Sequence, residues 1–400
     1  MQPQEQKSLI PAQSNEKTGN YWAFSARAYT LVFRAFLIAL PLFVIVFMAI
    51  CAQAFTKNSI YSFAMDLRSV ASFVPSDYQN VSYTYQEGER VVCAYRDGVA
   101  VAGCGGVEIY SPDGQRLLDV PKAWSAPRAV ASQKYLVAYE FGSKEFTVTD
   151  AYTVLFEGKT EFPILMASVA DTGHFALVTT SDTHLSQVLL YDANFNLIEC
   201  FTRSSATISV AFADNGKQIA LSGIYTEGGA SRSVVELYRI GAKEPAYSRV
   251  VQDLVMQLAF TDHRHLAVLS DKALRVLDED GDPTGEISFE GQSARSFEVS
   301  EKGILLLLSA QDLHATHRVM LLDQRGELVK EQAWQGSIVS VAFAQEQVFF
   351  LSDGQIVKWD AEKESFTTMV CSPGATSLWI VGKDALRVAY AGEALYVEFE

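Results

Sequence analysis

With 400 residues, 49% of them apolar, the chain can bury a large core and is too hydrophobic to be disordered throughout. Its 47 acidic against 32 basic residues leave a formal charge of −15, which argues against nucleic-acid partners and against adsorption to anionic lipid by charge alone. Five cysteines without a CxxC pair suggest neither a thiolate metal site nor a dense disulfide framework; buried or unpaired thiols are expected.

Residues 1–29 read as a polar cytoplasmic tail, predicted to be disordered. An uninterrupted apolar run, Ala35 to Ala52, follows, and continuing it to Phe55 gives 21 residues, roughly 31 Å of helix and enough to cross a bilayer core. A single transmembrane helix is therefore expected over 30–56. Lys7, Lys17, Arg27 and Arg34 precede the run, whereas Lys57 and Arg68 follow it. That bias predicts a cytoplasmic N-terminus and a C-terminal domain outside the cell. Tyr21, Trp22, Phe24 and Tyr29 suit the inner interface. Ala52-Gln53-Ala54 has the form of a signal-peptidase site, but the long leader and long apolar core favour an uncleaved signal-anchor.

Residues 57–77 form the next segment, a predicted neck helix. Ile60, Phe63, Ala64, Leu67, Val70, Ala71 and Val74 recur on one helical face, Asn58 or Ser59 can cap the start, and Pro75 ends it.

From residue 78 onward short apolar strands alternate with turn signals such as Pro112-Asp113-Gly114, Asp214-Asn215-Gly216 and Gln324-Arg325-Gly326. A strand ending at or near Asp recurs at Asp150, Asp192, Asp278, Asp323 and Asp360, with Ser111, Arg239 and Glu398 filling the same slot in weaker copies. The eight slots are 37 to 47 residues apart, close to the period of a four-stranded propeller blade. Eight blades are expected over 78–400, seven being the alternative count. The last copy has three strands, and the isolated run Val81 to Tyr85 is expected to supply its missing outer strand and close the ring.

On these repeats, and on the single Trp359-Asp360 pair, residues 79–400 resemble a WD40- or quinoprotein-like β-propeller. The layout of tail, span and C-terminal propeller is similar to a family of membrane-anchored bacterial propellers of unknown function. The resemblance implies an all-β architecture and transfers no functional residue.

In such a ring the a–b and c–d turns share one face, and the b–c and d–a connections share the other. The b–c connections are long in three copies: Thr180 to Gln187, Ile224 to Arg232, and Ala310 to His317. Long polar loops on a rigid scaffold are where binding tends to reside. The expected partner face therefore carries Trp124, His184, Tyr225, Glu227, Arg232, Asp312, His314, His317 and Trp334, although for Trp124 and Trp334 packing between neighbouring blades is the favoured reading. Asp312, His314 and His317 have donor types that suit zinc, although irregular spacing and the lack of a fourth ligand favour solvated histidines. His263 and His265 flank a short turn and carry the same reading. The acidic run Asp278 to Asp282 superficially resembles a calcium loop but lacks the glycine and glutamate that an EF-hand needs. Gly103-Cys104-Gly105-Gly106 joins strand to strand, which fits a tight turn.

No nucleophile elbow, Walker loop or dinucleotide fingerprint occurs in the sequence. The expectation is a membrane-anchored, extracytoplasmic binding or scaffold module for a protein, peptide or cell-envelope polymer, with no cofactor and no nucleic acid. The alternatives are an envelope enzyme at the channel mouth (a quinone-dependent dehydrogenase or a glycan lyase) and a ligand sensor signalling through the span. Five tryptophans are too few for the docking motifs of a quinoprotein.

Overall fold

The computed structural model describes residues 29, 31–43, 78–83, 88–310, 316–344 and 346–399. Two compact units divide the chain, Met1–Ile60 and Tyr61–Glu400. In the first unit residues 31–43 are helical, and apolar side chains such as Phe36, Leu37 and Ile38 are exposed along the helix. No helix among the described residues is long and apolar enough to cross a membrane. The expected span lies mostly outside the described residues, as do the tail apart from Tyr29 and the neck helix.

The second unit is an all-β propeller of eight four-stranded antiparallel sheets. Seven blades are built from consecutive strands, at 91–121, 127–159, 164–203, 206–251, 255–288, 293–335 and 340–370. The eighth combines Ser377–Gly382, Ala385–Ala389 and Glu393–Glu398 with the N-terminal strand Val81–Ser82 in the outer position. Both the blade count and the closure match the sequence expectation. The closing strand is shorter than expected, and it pairs with the start of the last strand through Val81↔Ala394 and Ser82↔Glu393.

The strand patterns follow from position. The second strand of a blade is covered on both faces by neighbouring blades, so Phe175–Thr179, Leu266–Ser270 and Gly303–Ser309 are wholly buried and read as continuous apolar runs. Outer strands such as Leu328–Gln335 are half solvated and alternate. Each of the eight clefts between adjacent blades holds its own apolar cluster among the described residues. The cluster at the closure unites Val81, Tyr83 and Ala394 with Val99, Val101 and Tyr110 of blade 1.

The recurring Asp has a mechanical role. In the c–d turns the Asp192 carboxylate accepts from the N–H groups of Asn194 (2.9 Å) and Asn196 (2.8 Å). Asp278 does the same for Asp280 (3.0 Å) and Asp282 (2.8 Å), and Asp323 for Arg325 (2.9 Å) and Glu327 (2.8 Å). Ser111 fills the slot with a hydroxyl that accepts from Gln115 N–H at 3.1 Å. A short turn leaves main-chain donors unpaired, and an Asx-type acceptor satisfies them locally. Asp278 is thereby committed to its own turn.

Candidate functional site

On the b–c and d–a face the most prominent feature is blade 4. Its middle strands, Gln218–Glu227 and Ala230–Arg239, outrun their neighbours: the flanking ladders end at Ala206↔Ile224 and Ser233↔Val251. What the sequence presented as a loop is a β-hairpin that projects past the sheet. Gly228 and Gly229 turn it with φ of 59° and 81°, the left-handed pair that a tight two-residue hairpin requires. The hairpin brings together three of the expected face residues. Tyr225 lies opposite Arg232, and the Arg232 guanidinium reaches Glu227 at 3.3 Å. On blade 3, His184 is exposed on the b–c connection, where Nδ1 meets the Thr183 hydroxyl at 2.8 Å.

Of the other expected face residues, the two tryptophans take the inter-blade packing that their positions favour over partner contact, and one histidine needs correction. Trp124 is only 7% exposed and packs with Tyr95, Val107 and Leu136 between blades 1 and 2, so it presents no ring to a partner. Trp334 is half-buried between blades 6 and 7: its indole N–H donates to Ser352 at 3.1 Å, and its ring meets Phe350 and Phe366 edge-on. His317 is buried rather than a loop residue. Nδ1 contacts the Ser309 hydroxyl at 2.5 Å and Nε2 the Gly336 carbonyl at 2.8 Å, so Nε2 carries the proton and neither nitrogen remains for a metal. Burial pushes its pKa down. Asp312 and His314 lie outside the described residues. Among the described residues no group of histidine, cysteine and carboxylate side chains is placed to hold a metal ion.

The face has an apolar component that the sequence reading missed. Phe141 and Leu185 are exposed on b–c connections, and Leu254 and Val339 on d–a connections. Among the described residues no large apolar side chain is exposed in an a–b or c–d turn. That opposite face is acidic. Asp214, on the a–b turn of blade 4, has its pKa raised by burial and by the charges of Asp171 in blade 3, Glu301 in blade 6 and Asp262 in blade 5. His265 is held locally, its Nδ1 within 3.0 Å of Asp262. Cys93, Cys104, Cys200 and Cys371 are all free thiols.

Among solved structures, BamB from Moraxella catarrhalis matches 79% of this chain and 100% of its own, with 14% identity and a TM-score of 0.53. A eukaryotic initiation factor matches 83% of this chain and 92% of its own, with 16% identity and a TM-score of 0.54. At such identities the likeness establishes the propeller fold alone. No curated protein matches the sequence. Residues 75–367 match the model of a family of unknown function (DUF5711), and on that coverage the chain belongs to this family.

Proposed function

We propose that this chain is a non-catalytic binding module that presents its b–c and d–a face to a protein, peptide or cell-envelope polymer. In this reading residues 30–56 hold it in the membrane and the propeller lies outside the cytoplasm. The asymmetry of the two faces carries the proposal. One face projects the blade 4 hairpin and exposes Phe141, Leu185, Leu254 and Val339, and the other is built of short polar turns. Apolar side chains set among polar loops on a rigid ring are a common form of protein interface. Membrane attachment rests on the length of the apolar run Ala35 to Ala52 and on the basic residues that precede it. Capture of envelope fractions on the full chain tests the reading. Recovery of a partner by the native chain but not by a Tyr225→Ala, Arg232→Ala double variant is expected. Equal recovery by both would refute the assignment of the face. For topology, a cysteine placed at position 228 should label in intact cells and one at position 15 should not; the reverse pattern would refute the orientation.

A further inference from the structure

Resting on the face proposed above, we infer that the groove beside the blade 4 hairpin is a carbohydrate subsite, which takes a short, electrically neutral stretch of an envelope polysaccharide. A cavity of about 480 Å³ lies between the outer strand of blade 3, Leu197–Arg203, and the middle strands of blade 4. That volume is within the range of ligand pockets and admits a short oligosaccharide. The cavity is continuous with the hairpin. Alternate residues of a strand share one face, so Tyr225, which lines the cavity, and Glu227 point toward blade 3, as do Val234, Glu236 and Tyr238. Arg232, opposite Tyr225 in the ladder, stands on the same side.

The walls carry charge of both signs in balance, which argues against a ligand of either charge. The guanidinium of Arg203, only 6% exposed, is ion-paired across the groove with Glu236. Glu227 and Arg232 repeat the pairing on the hairpin at 3.3 Å. Glu199 and Lys243 add one further carboxylate and one further ammonium to the lining. A sugar hydroxyl donates and accepts at once, so it is suited by acceptors and donors set side by side. Glu236 also accepts from Tyr238 at 3.3 Å and from Ser248 at 3.4 Å, which holds its carboxylate in place. On the blade 3 side the exposed hydroxyls of Thr202 and Ser204 continue the same mixed lining.

The apolar part of the lining is mostly aromatic. Phe201 and Tyr238, both nearly buried, meet there with ring centroids 4.6 Å apart, and Tyr225 stands half-buried where the groove meets the hairpin. A pyranose ring has apolar C–H faces and a polar rim. One face can cover an aromatic ring while the hydroxyls reach the polar wall, and a tyrosine offers both an apolar body and a polar tip. A peptide side chain such as Leu or Val needs an aliphatic pocket, and Val234 is the one Val, Leu, Ile or Met among the described lining residues. Apolar contacts with a protein are offered instead by Phe141, Leu185, Leu254 and Val339, none of which lines this groove.

An array of neutral oligosaccharides of glucose, galactose, mannose and N-acetylglucosamine, with uronic-acid oligosaccharides as charged controls, supplies the probes for the full chain. Neutral glycans should be retained and the uronic-acid set should not. For the best-retained neutral glycan, Tyr225→Ala should weaken binding about tenfold, the loss expected when a stacked apolar face returns to water. Tyr225→Phe should keep binding within about twofold of native, because the ring is retained. Thr202→Ala and Glu199→Gln should each weaken it severalfold. Cys200 lines the same groove as an exposed free thiol, so the bound glycan should slow its alkylation severalfold in the native chain, a measurement that needs no variant. The proposal is overturned by retention of no neutral glycan, by retention of the uronic-acid glycans in their place, by undiminished binding to Tyr225→Ala, or by unchanged alkylation of Cys200. Should partner capture still depend on Tyr225 and Arg232 under any of those results, the face assignment stands and the glycan assignment alone falls. Should capture be independent of both residues while neutral glycans protect Cys200, the face assignment alone falls.

Discussion

The guanidinium of Arg387, wholly buried in the closing blade, donates to the main-chain carbonyl of Gln79 at 3.1 Å, joining residues 308 positions apart. A second nitrogen donates to the Pro112 carbonyl of blade 1 at 2.5 Å. Tyr78 lies over the same guanidinium and stacks on Tyr396 with ring centroids 5.0 Å apart. The closing strand has only two residues, so side chains supply much of the closure. Asn80 accepts from Tyr396 N–H at 2.9 Å, and the Tyr83 hydroxyl donates to the Tyr390 carbonyl.

Arg387→Ala should therefore lower stability by about 2–4 kcal/mol, the cost of orphaning buried carbonyls and opening a cavity. Arg387→Lys should recover only part of the loss, because an ammonium cannot span two carbonyls as the planar fork does. Chemical denaturation of the full chain measures both.

Removing the closing segment should be worse than trimming a tail. Val81 is 0% and Tyr83 5% exposed, and both pack against blade 1. Burying two such side chains contributes about 3–6 kcal/mol. A chain beginning at residue 88 should unfold at markedly lower denaturant than one beginning at residue 77. Identical midpoints would refute this closure.

His317 supplies a pH signature. Its pKa in the fold is lowered, by burial first and by the Arg295 charge as a lesser cause, so the native state favours the neutral ring. The associated stability is present above the unfolded value of about 6.5 and is lost as pH falls through the folded value. His317→Ala should cost about 2–4 kcal/mol at pH 8 and less at pH 5. Zinc should leave the native melting temperature unchanged, since both ring nitrogens are occupied.

Asp214 runs the other way. Its raised pKa means that the fold holds the proton more tightly than the unfolded chain does, so its contribution favours the fold at low pH and turns unfavourable as pH rises through the folded value. Asp214→Asn should stabilise the ring at pH 7 and have no effect near pH 3. The gain should stay below about 1 kcal/mol, because solvent screens an exposed group. Melting curves at the two pH values check it.

The blades were legible because their physics is periodic. Strands buried on both faces must be apolar throughout, and c–d turns need a side-chain acceptor, which is why Asp recurs at blade spacing. The blade 4 hairpin was not legible as strand: Tyr225-Thr226-Glu227 and Ala230-Ser231-Arg232 are solvated on both sides and show no apolar alternation. Gly228-Gly229 was the available signal. Arg387 sits inside Ala-Leu-Arg-Val-Ala, where hydropathy alone suggests an exposed charge, and its partners arrive from the far end of the chain. His317 invited a metal reading because its partners Ser309 and Gly336 become neighbours only through strand pairing and blade packing.

The most direct test of the binding-face account uses a photocrosslinking residue placed singly at Leu185, at Gly228, and at Lys134 on the a–b turn of blade 2 in the full chain. Irradiation in cells should give a discrete protein or envelope-polymer adduct from positions 185 and 228 and none from 134. An adduct from position 134 alone, or the same adduct from all three, would contradict the account.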